Sequence, residues 1–335
     1  MTDLMSTVLS TSGTVFRRTG LLRPLSVLAG YLDLGRAFPI LCYHRVNDEQ
    51  DPFFPSLATE VFAEHMEFVA GAYVVLPVDE LAERARRGTL PHNSLAITFD
   101  DGYRDNLTHA APILARHGLA ATVFLATGAI GSGEPLWFDP LALAFKHTRV
   151  EEWRAPWGDV LSLGSVAARL AGLKTVLDHL KRVPDGERRR MLPGVVDSLG
   201  LSGLEALKGL MMTWEDVGAL VGLGIRIGAH TITHPILSRM EPAAAAAEIR
   251  GSAAAIAAGA GSRPRAFAYP NGREDDYSHA VVRAVREAGF TCAVTTRFGV
   301  NTKGTPPYEL RRGTPWETDV PTFALRLAGY RLAHA

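Results

Sequence analysis

Strand-like and helix-like patterns alternate along this 335-residue chain and predict an α/β protein built as a (β/α) barrel. Three observations carry that expectation. Six short apolar or β-branched runs, at 38–43, 94–99, 121–125, 225–229, 266–269 and 290–295, read as strands buried on both faces, as parallel strands are. Helical patterns fall between them. That many strand–helix units in one chain favour a closed barrel over an open doubly wound sheet, and single barrels commonly reach about 250 residues.

Taken in order, Val61, Phe62, Met66 and Val69 recur at helical spacing after the first strand. The pattern at 107–117 stops at Gly118, as a helix ending in a left-handed residue should. Thr213 and Asp216 form a capping pair for a helix beginning at Trp214. Glu241, Pro242 and a run of alanines open the next helix, and 281–288 closes against Gly289. Two stretches break the alternation. Residues 1–35 form an N-terminal arm ahead of a barrel at 36–335, and about 131–210, with Trp153, Trp157, Pro184 and Arg188 to Arg190, reads as a mostly helical insertion capping the site.

Hydrophobic residues make up 47% and charged residues 21%, which fits a globular fold and excludes disorder. Lys plus Arg and Asp plus Glu both total 35, so no basic excess is present to neutralise nucleic-acid phosphates. Cys42 and Cys292 are too few for a disulfide framework and read as buried small residues. Arg17, Arg18 and Arg23 interrupt the N-terminus, so no signal peptide is evident and a cytoplasmic location is expected. The stretch at 21–34 has the pattern of a short amphipathic helix, which packs on the domain or, as the alternative, rests on a membrane surface.

Barrel active sites lie at the C-terminal ends of strands, which directs attention to the polar residues after each run. The run at 94–99 ends in Asp100 and Asp101; that at 225–229 ends in His230 and reaches His234; that at 38–43 ends in His44. Asp-Asp-Gly alone is a turn signal, and a His pair four apart is by itself a surface feature as readily as a site. Together they form the three-ligand set of a catalytic zinc, with a neighbouring carboxylate left over to move a proton. The strand at 266–269 ends in Tyr269, Pro270 and Asn271, expected to line the pocket, and the Tyr103 N–H is placed to complete an oxyanion hole. Trp137 and Trp316 offer aromatic faces to a pyranose, or belong to the core.

Two segments resemble the polysaccharide deacetylases of carbohydrate esterase family 4, the NodB-homology family. Thr98-Phe99-Asp100-Asp101-Gly102 is similar to the family's first motif and His230-Thr231-Ile232-Thr233-His234 to its His-Thr-x-x-His motif. The resemblance runs from about Ala37 to Arg312 and leaves out 131–210. It implies a distorted (β/α) barrel of about seven strands, with Asp100 as general base and Asp101, His230 and His234 as ligands of one divalent metal. Zn2+ is the expected ion, with Ni2+ or Co2+ as alternatives. The substrate implied is an N-acetylated carbohydrate, polymeric or part of a glycoconjugate.

Two departures stand out. The family's third motif carries an arginine that orients the base, whereas the matching segment, Phe267 to Gly272, has none, which leaves Arg265 or Arg273 as substitutes. A C-terminal catalytic histidine is not evident after Phe290, but Tyr43-His44-Arg45 resembles the branch acting on poly-N-acetylglucosamine, which implies His44 as general acid. The rival readings are hydrolysis of another carbon–nitrogen bond, in a cyclic imide or ureide, and a non-catalytic carbohydrate-binding barrel.

Overall fold

The structure, a computed structural model, describes residues 37–332. The N-terminal arm and its 21–34 stretch lie outside the described residues. The first half of the barrel comprises β1 (Ile40–Tyr43), α1 (Thr59–Ala72), β2 (Val74–Val75), α2 (Val78–Arg87), β3 (Ser94–Phe99), α3 (Ala111–Arg116) and β4 (Thr122–Leu125). An inserted segment follows, with α4 (Asp139–His147), β5 (Glu152–Arg154), β6 (Val160–Ser162), α5 (Val166–Leu180) and α6 (Asp185–Ser198). The second half comprises α7 (Trp214–Gly222), β7 (Arg226–Ala229), α8 (Pro242–Gly259), β8 (Ala266–Ala268), α9 (His279–Glu287), β9 (Cys292–Val294) and α10 (Val320–Leu332).

The seven-stranded sheet runs β1-β3-β4-β7-β8-β9, with every pair parallel, and β2 pairs with the start of β3. The sheet curls, and residues 310–313 close it. Leu310 bridges Val294 and Gly313 bridges Leu41, both in parallel, with Thr295 N–H donating to Leu310 O at 2.8 Å and Cys42 N–H to Gly313 O at 2.9 Å. This is the distorted barrel expected, with an irregular segment as its last stave.

Alternation along the strands sorts the core. Leu95, Ile97 and Phe99 of β3 face outward to Phe62 and Met66 of α1, while Ala96 faces inward with Ile40, Phe124, Ala268 and Val294. The inward layer admits Phe124 because residue 228 is glycine, where a Cβ would lie 2.3 Å from the Phe124 ring. Outside, Val217 and Leu220 of α7, Ile249 and Ile256 of α8, and Val285 of α9 cover the sheet. Burying each such side chain contributes roughly 1.5–3 kcal/mol.

Strand positions agree with the sequence reading to within two residues, and both bonds of the Thr213–Asp216 capping box form, at 3.0 and 3.1 Å. Residues 107–117 differ from a plain α-helix: a π turn, Asn106–Ala110, precedes α3. The insertion is helical apart from an antiparallel hairpin, β5 with β6. It has its own apolar cluster, which includes Phe145, Trp153, Val176, Leu180 and Val195, and Phe53 and Phe54 from the β1–α1 loop enter it. Among the described residues no helix is long and apolar enough to cross a membrane.

Candidate active site

Asp100 and Asp101 follow β3, and His230 follows β7, so ladder pairing alone puts all three at one end of the ring. Asp100 N–H donates to Tyr43 O at 3.0 Å and His230 N–H to Leu125 O at 2.9 Å, extending the strand hydrogen bonds by one residue. Asp101 Oδ1 lies 3.6 Å from His230 Nε2 and 3.2 Å from His234 Nε2. All three residues are buried. Asp101, Thr231 and His234 take left-handed backbone conformations, with φ of 79°, 68° and 55°. Such conformations cost a non-glycine residue of order 1–3 kcal/mol and persist where the surroundings enforce them.

This donor set fits a divalent cation. One carboxylate oxygen and two imidazole nitrogens lie within 4.8 Å of one another. His230 Nδ1 donates to Ala268 O at 2.7 Å, which fixes the tautomer and leaves Nε2 with its lone pair toward Asp101. Burial drops the His230 pKa to about 4, so the ring is neutral, as a ligand must be.

Asp100 has a different partner. Arg312 Nη1 donates to its Oδ1 at 2.7 Å and Nη2 to its Oδ2 at 2.6 Å, a bidentate pair in which both groups are buried. The Arg312 Nε donates to Thr295 O at 2.8 Å, and Nη1 also reaches Thr98 Oγ1 at 3.2 Å. Burial works to raise the Asp100 pKa, but the Arg312 charge and its hydrogen bonds reverse this and hold the carboxyl well below the usual carboxylate range. Arg312 therefore stands where the third motif lacks an arginine. Arg265 pairs instead with Glu83 and Asp79 of α2, and Arg273 is exposed, so neither serves Asp100. Sequence reasoning missed Arg312 because its stave is too short for periodicity; the one signal was Leu310-Arg311-Arg312-Gly313, an alternating segment in which Leu310 and Arg312 are buried and Arg311 is not.

His44 ends β1 on the same rim, and its ring nitrogen, the Cys42 Sγ and an Asp100 oxygen lie within 4.8 Å of one another. The Asn106 side chain, carried by the π turn, donates to His44 O at 2.7 Å. Cys42 is fully buried, burial pushes its thiol pKa far up, and its Sγ donates to Asp100 Oδ2 at 3.7 Å. It is an inert neighbour, as Cys292 is a core residue.

The remaining expected site residues separate into two groups. Tyr103 follows the Asp-Asp-Gly turn; its OH donates to Asp139 Oδ1 at 3.0 Å, and among the described residues its N–H donates to no group. Pro270 and Asn271 follow β8, with the Asn271 amide turned to Asp276. Tyr269 departs from the expectation that it lines the pocket: it is fully buried, stacks on Tyr277 at 4.4 Å and donates to Tyr308 O at 3.0 Å. One more residue of strand period turns its ring into the core. Trp137 reaches the site, donating from Nε1 to His234 O at 3.0 Å, whereas Trp316 is exposed. A cavity of about 410 Å³ opens between barrel and insertion, lined among others by Arg45, Asn47, Asp105, Lys146 and Lys208, and its lining includes neither His44 nor the Asp101, His230 and His234 cluster.

Comparisons with known proteins agree with this fold. The solved Streptococcus pyogenes deacetylase PplD, in complex with acetate, superposes with a TM-score of 0.58 at 17% identity, covering 87% of this chain and 98% of that one. IcaB from Ammonifex degensii gives a TM-score of 0.58 at 19% identity, covering 87% and 97%. The curated protein "Putative polysaccharide deacetylase YxkH" of Bacillus subtilis (strain 168) is 33% identical over 95 residues, 28% of this chain; the match spans 33% of that relative's length. The polysaccharide deacetylase family model matches residues 87–293, more than half of the chain and inclusive of Asp100, Asp101, His230 and His234. By that match the chain belongs to the polysaccharide deacetylase family.

Proposed function

We propose that this protein is a metal-dependent hydrolase that removes the N-acetyl group of an amino sugar in a polysaccharide or glycoconjugate. The observation that carries the reading is the pairing of two adjacent aspartates with opposite partners: Asp101 faces two imidazoles, and Asp100 faces Arg312. Asp101, His230 and His234 would hold the cation, with Zn2+ suiting a nitrogen and oxygen donor set. A divalent ion bound there supplies Lewis acidity, which polarises the acetamide carbonyl and lowers the pKa of a water toward about 7.

The chain's own residues do the rest. Asp100, kept ionised by Arg312, accepts the proton of the water that attacks the acetamide carbon. The free Tyr103 N–H donates to the oxyanion as it develops. His44 gives a proton to the sugar nitrogen as the carbon–nitrogen bond breaks, so that acetate and a free amine leave. The rival reading, a cyclic imide or ureide, drew its support from a missing arginine, and Arg312 removes that support.

Mass spectrometry of N-acetylated oligosaccharides after incubation with the metal-loaded protein tests the proposal. Loss of one or more acetyl groups is expected. Intact glycans alongside turnover of small cyclic amides would overturn it.

A further inference from the structure

The two histidines facing Asp101 are positioned in different ways. His230 is oriented through its own ring, by the Nδ1 bond to Ala268 O. His234 has no such bond: its Nδ1 is buried without a partner among the described residues. Phe138 packs edge-on against its ring at 5.4 Å, and the hydrogen bonds that orient it act on the backbone that carries it, a loop containing two left-handed residues. On one side, Thr127 and Gly128 donate to Thr231 O and Ile232 O at 3.0 and 2.8 Å. On the other side is Glu248, a buried residue of α8. Its Oε2 accepts from the N–H groups of Ile232 and Thr233, at 2.8 and 2.9 Å, and its Oε1 accepts from Thr233 Oγ1 at 2.7 Å.

The chain of bonds continues into the insertion. Arg189 of α6 donates from Nη2 to Thr233 Oγ1 at 2.7 Å and lies 3.6 Å from Glu248 Oε1, while its Nε holds Asp185 at 2.7 Å. Asp185 also pairs with Arg188, whose guanidinium lies over the Trp137 ring at 4.3 Å, and Trp137 donates to His234 O. Two routes thus run from α6 to the same histidine.

We propose that Glu248, Thr233 and Arg189 form a clamp that sets the orientation of His234, so that the insertion is part of the machinery that builds the cation site. Glu248 is a positioning residue: it touches neither substrate nor ion. Removing a carboxylate that accepts three hydrogen bonds leaves two half-buried backbone N–H groups unpaired and frees two left-handed residues to relax. The Nε2 of His234 then spends less time facing Asp101. The inference rests on the metal-site reading above, and the experiment separates the two.

Zn2+ affinity is measured by competition with a chromogenic chelator for the wild-type chain, Glu248→Ala, Glu248→Gln, Thr233→Val and Arg189→Ala, alongside the melting temperature of each metal-free protein. Glu248→Ala is expected to bind Zn2+ about 10- to 100-fold more weakly, the range for partners that orient metal ligands. Glu248→Gln, which keeps one acceptor oxygen, should recover part of the loss. Arg189→Ala, changed at a half-exposed side chain, should melt with the wild type yet bind Zn2+ several-fold more weakly, and adding it to Glu248→Ala should cost little more. Unchanged affinity in Arg189→Ala and Thr233→Val would overturn the clamp even if Glu248→Ala fails to fold. A wild-type chain that takes up no Zn2+ would overturn the metal reading itself, and the clamp with it.

Discussion

Arg312 and Asp100 are 212 residues apart in sequence, yet they meet in a buried two-point ion pair at 2.7 and 2.6 Å. The contact joins the stave that closes the barrel to the turn that carries Asp100, the proposed general base. Among the groups that hold the Asp100 carboxyl ionised, Arg312 acts most strongly.

Arg312→Lys should therefore reduce turnover about 100-fold or more, because a single ammonium cannot reproduce the two parallel bonds. Arg312→Gln should do worse and destabilise the fold by about 3–5 kcal/mol, since it leaves a buried carboxylate unpaired. The acidic limb of the pH–rate profile should move to higher pH in both, because burial alone raises the Asp100 pKa. A profile that stays where the wild type's lies would contradict the assignment of Asp100 as base.

Asp100→Asn and His234→Ala should fail in different ways. The first is expected to keep its metal while turnover falls roughly 10²- to 10⁴-fold, and the second to lose metal and activity together. Elemental analysis of the purified variants with an acetate-release assay reads both. Equal metal loss in the two would show that the aspartates do not divide the work.

His44→Ala should retain metal and lose activity on acetylated amino sugars by about 10²- to 10⁴-fold. With an acetyl ester of an activated phenol, whose leaving group needs no proton, the same variant should approach the wild-type rate. A similar loss on both substrates would remove His44 from the role of acid.

His65 supplies a pH test away from the site. It is fully buried, stacked on Phe323 at 3.9 Å, and burial lowers its pKa to about 4 from 6.5. Between those values the unfolded chain binds the proton and the folded chain does not, so stability falls as pH drops from 6.5 toward 4. The loss is roughly 3 kcal/mol, and His230 adds to it with the same sign in the metal-free chain. Melting curves across this window should show the decline, and His65→Phe should flatten it.

Much of this architecture was legible in the residues. Strand ends were readable because runs such as 94–99 are apolar on both faces, and the aspartates and histidines follow those ends directly. Tyr269 misled because strand period says which face a ring takes and not how deep it lies. Arg312 was hidden because residues 310–313 pair as isolated bridges, without the length that makes a strand visible. The clamp on His234 was hidden for a related reason: Glu248 sits in an alanine-rich helix whose sequence declares only helicity, and its partners come from two other parts of the chain.

The position of Arg312 near the end of the described chain has a consequence for biogenesis. During synthesis β1, β3 and β7 emerge long before residue 312, so both aspartates and both histidines can assemble on a sheet that still has an open edge. Until the final stave docks, Asp100 lacks its counter-ion. A nascent or truncated chain ending before Arg312 would carry the proposed ligands and yet lack the pair that holds Asp100 ionised, so on the reading proposed above the event that seals the ring also readies the base.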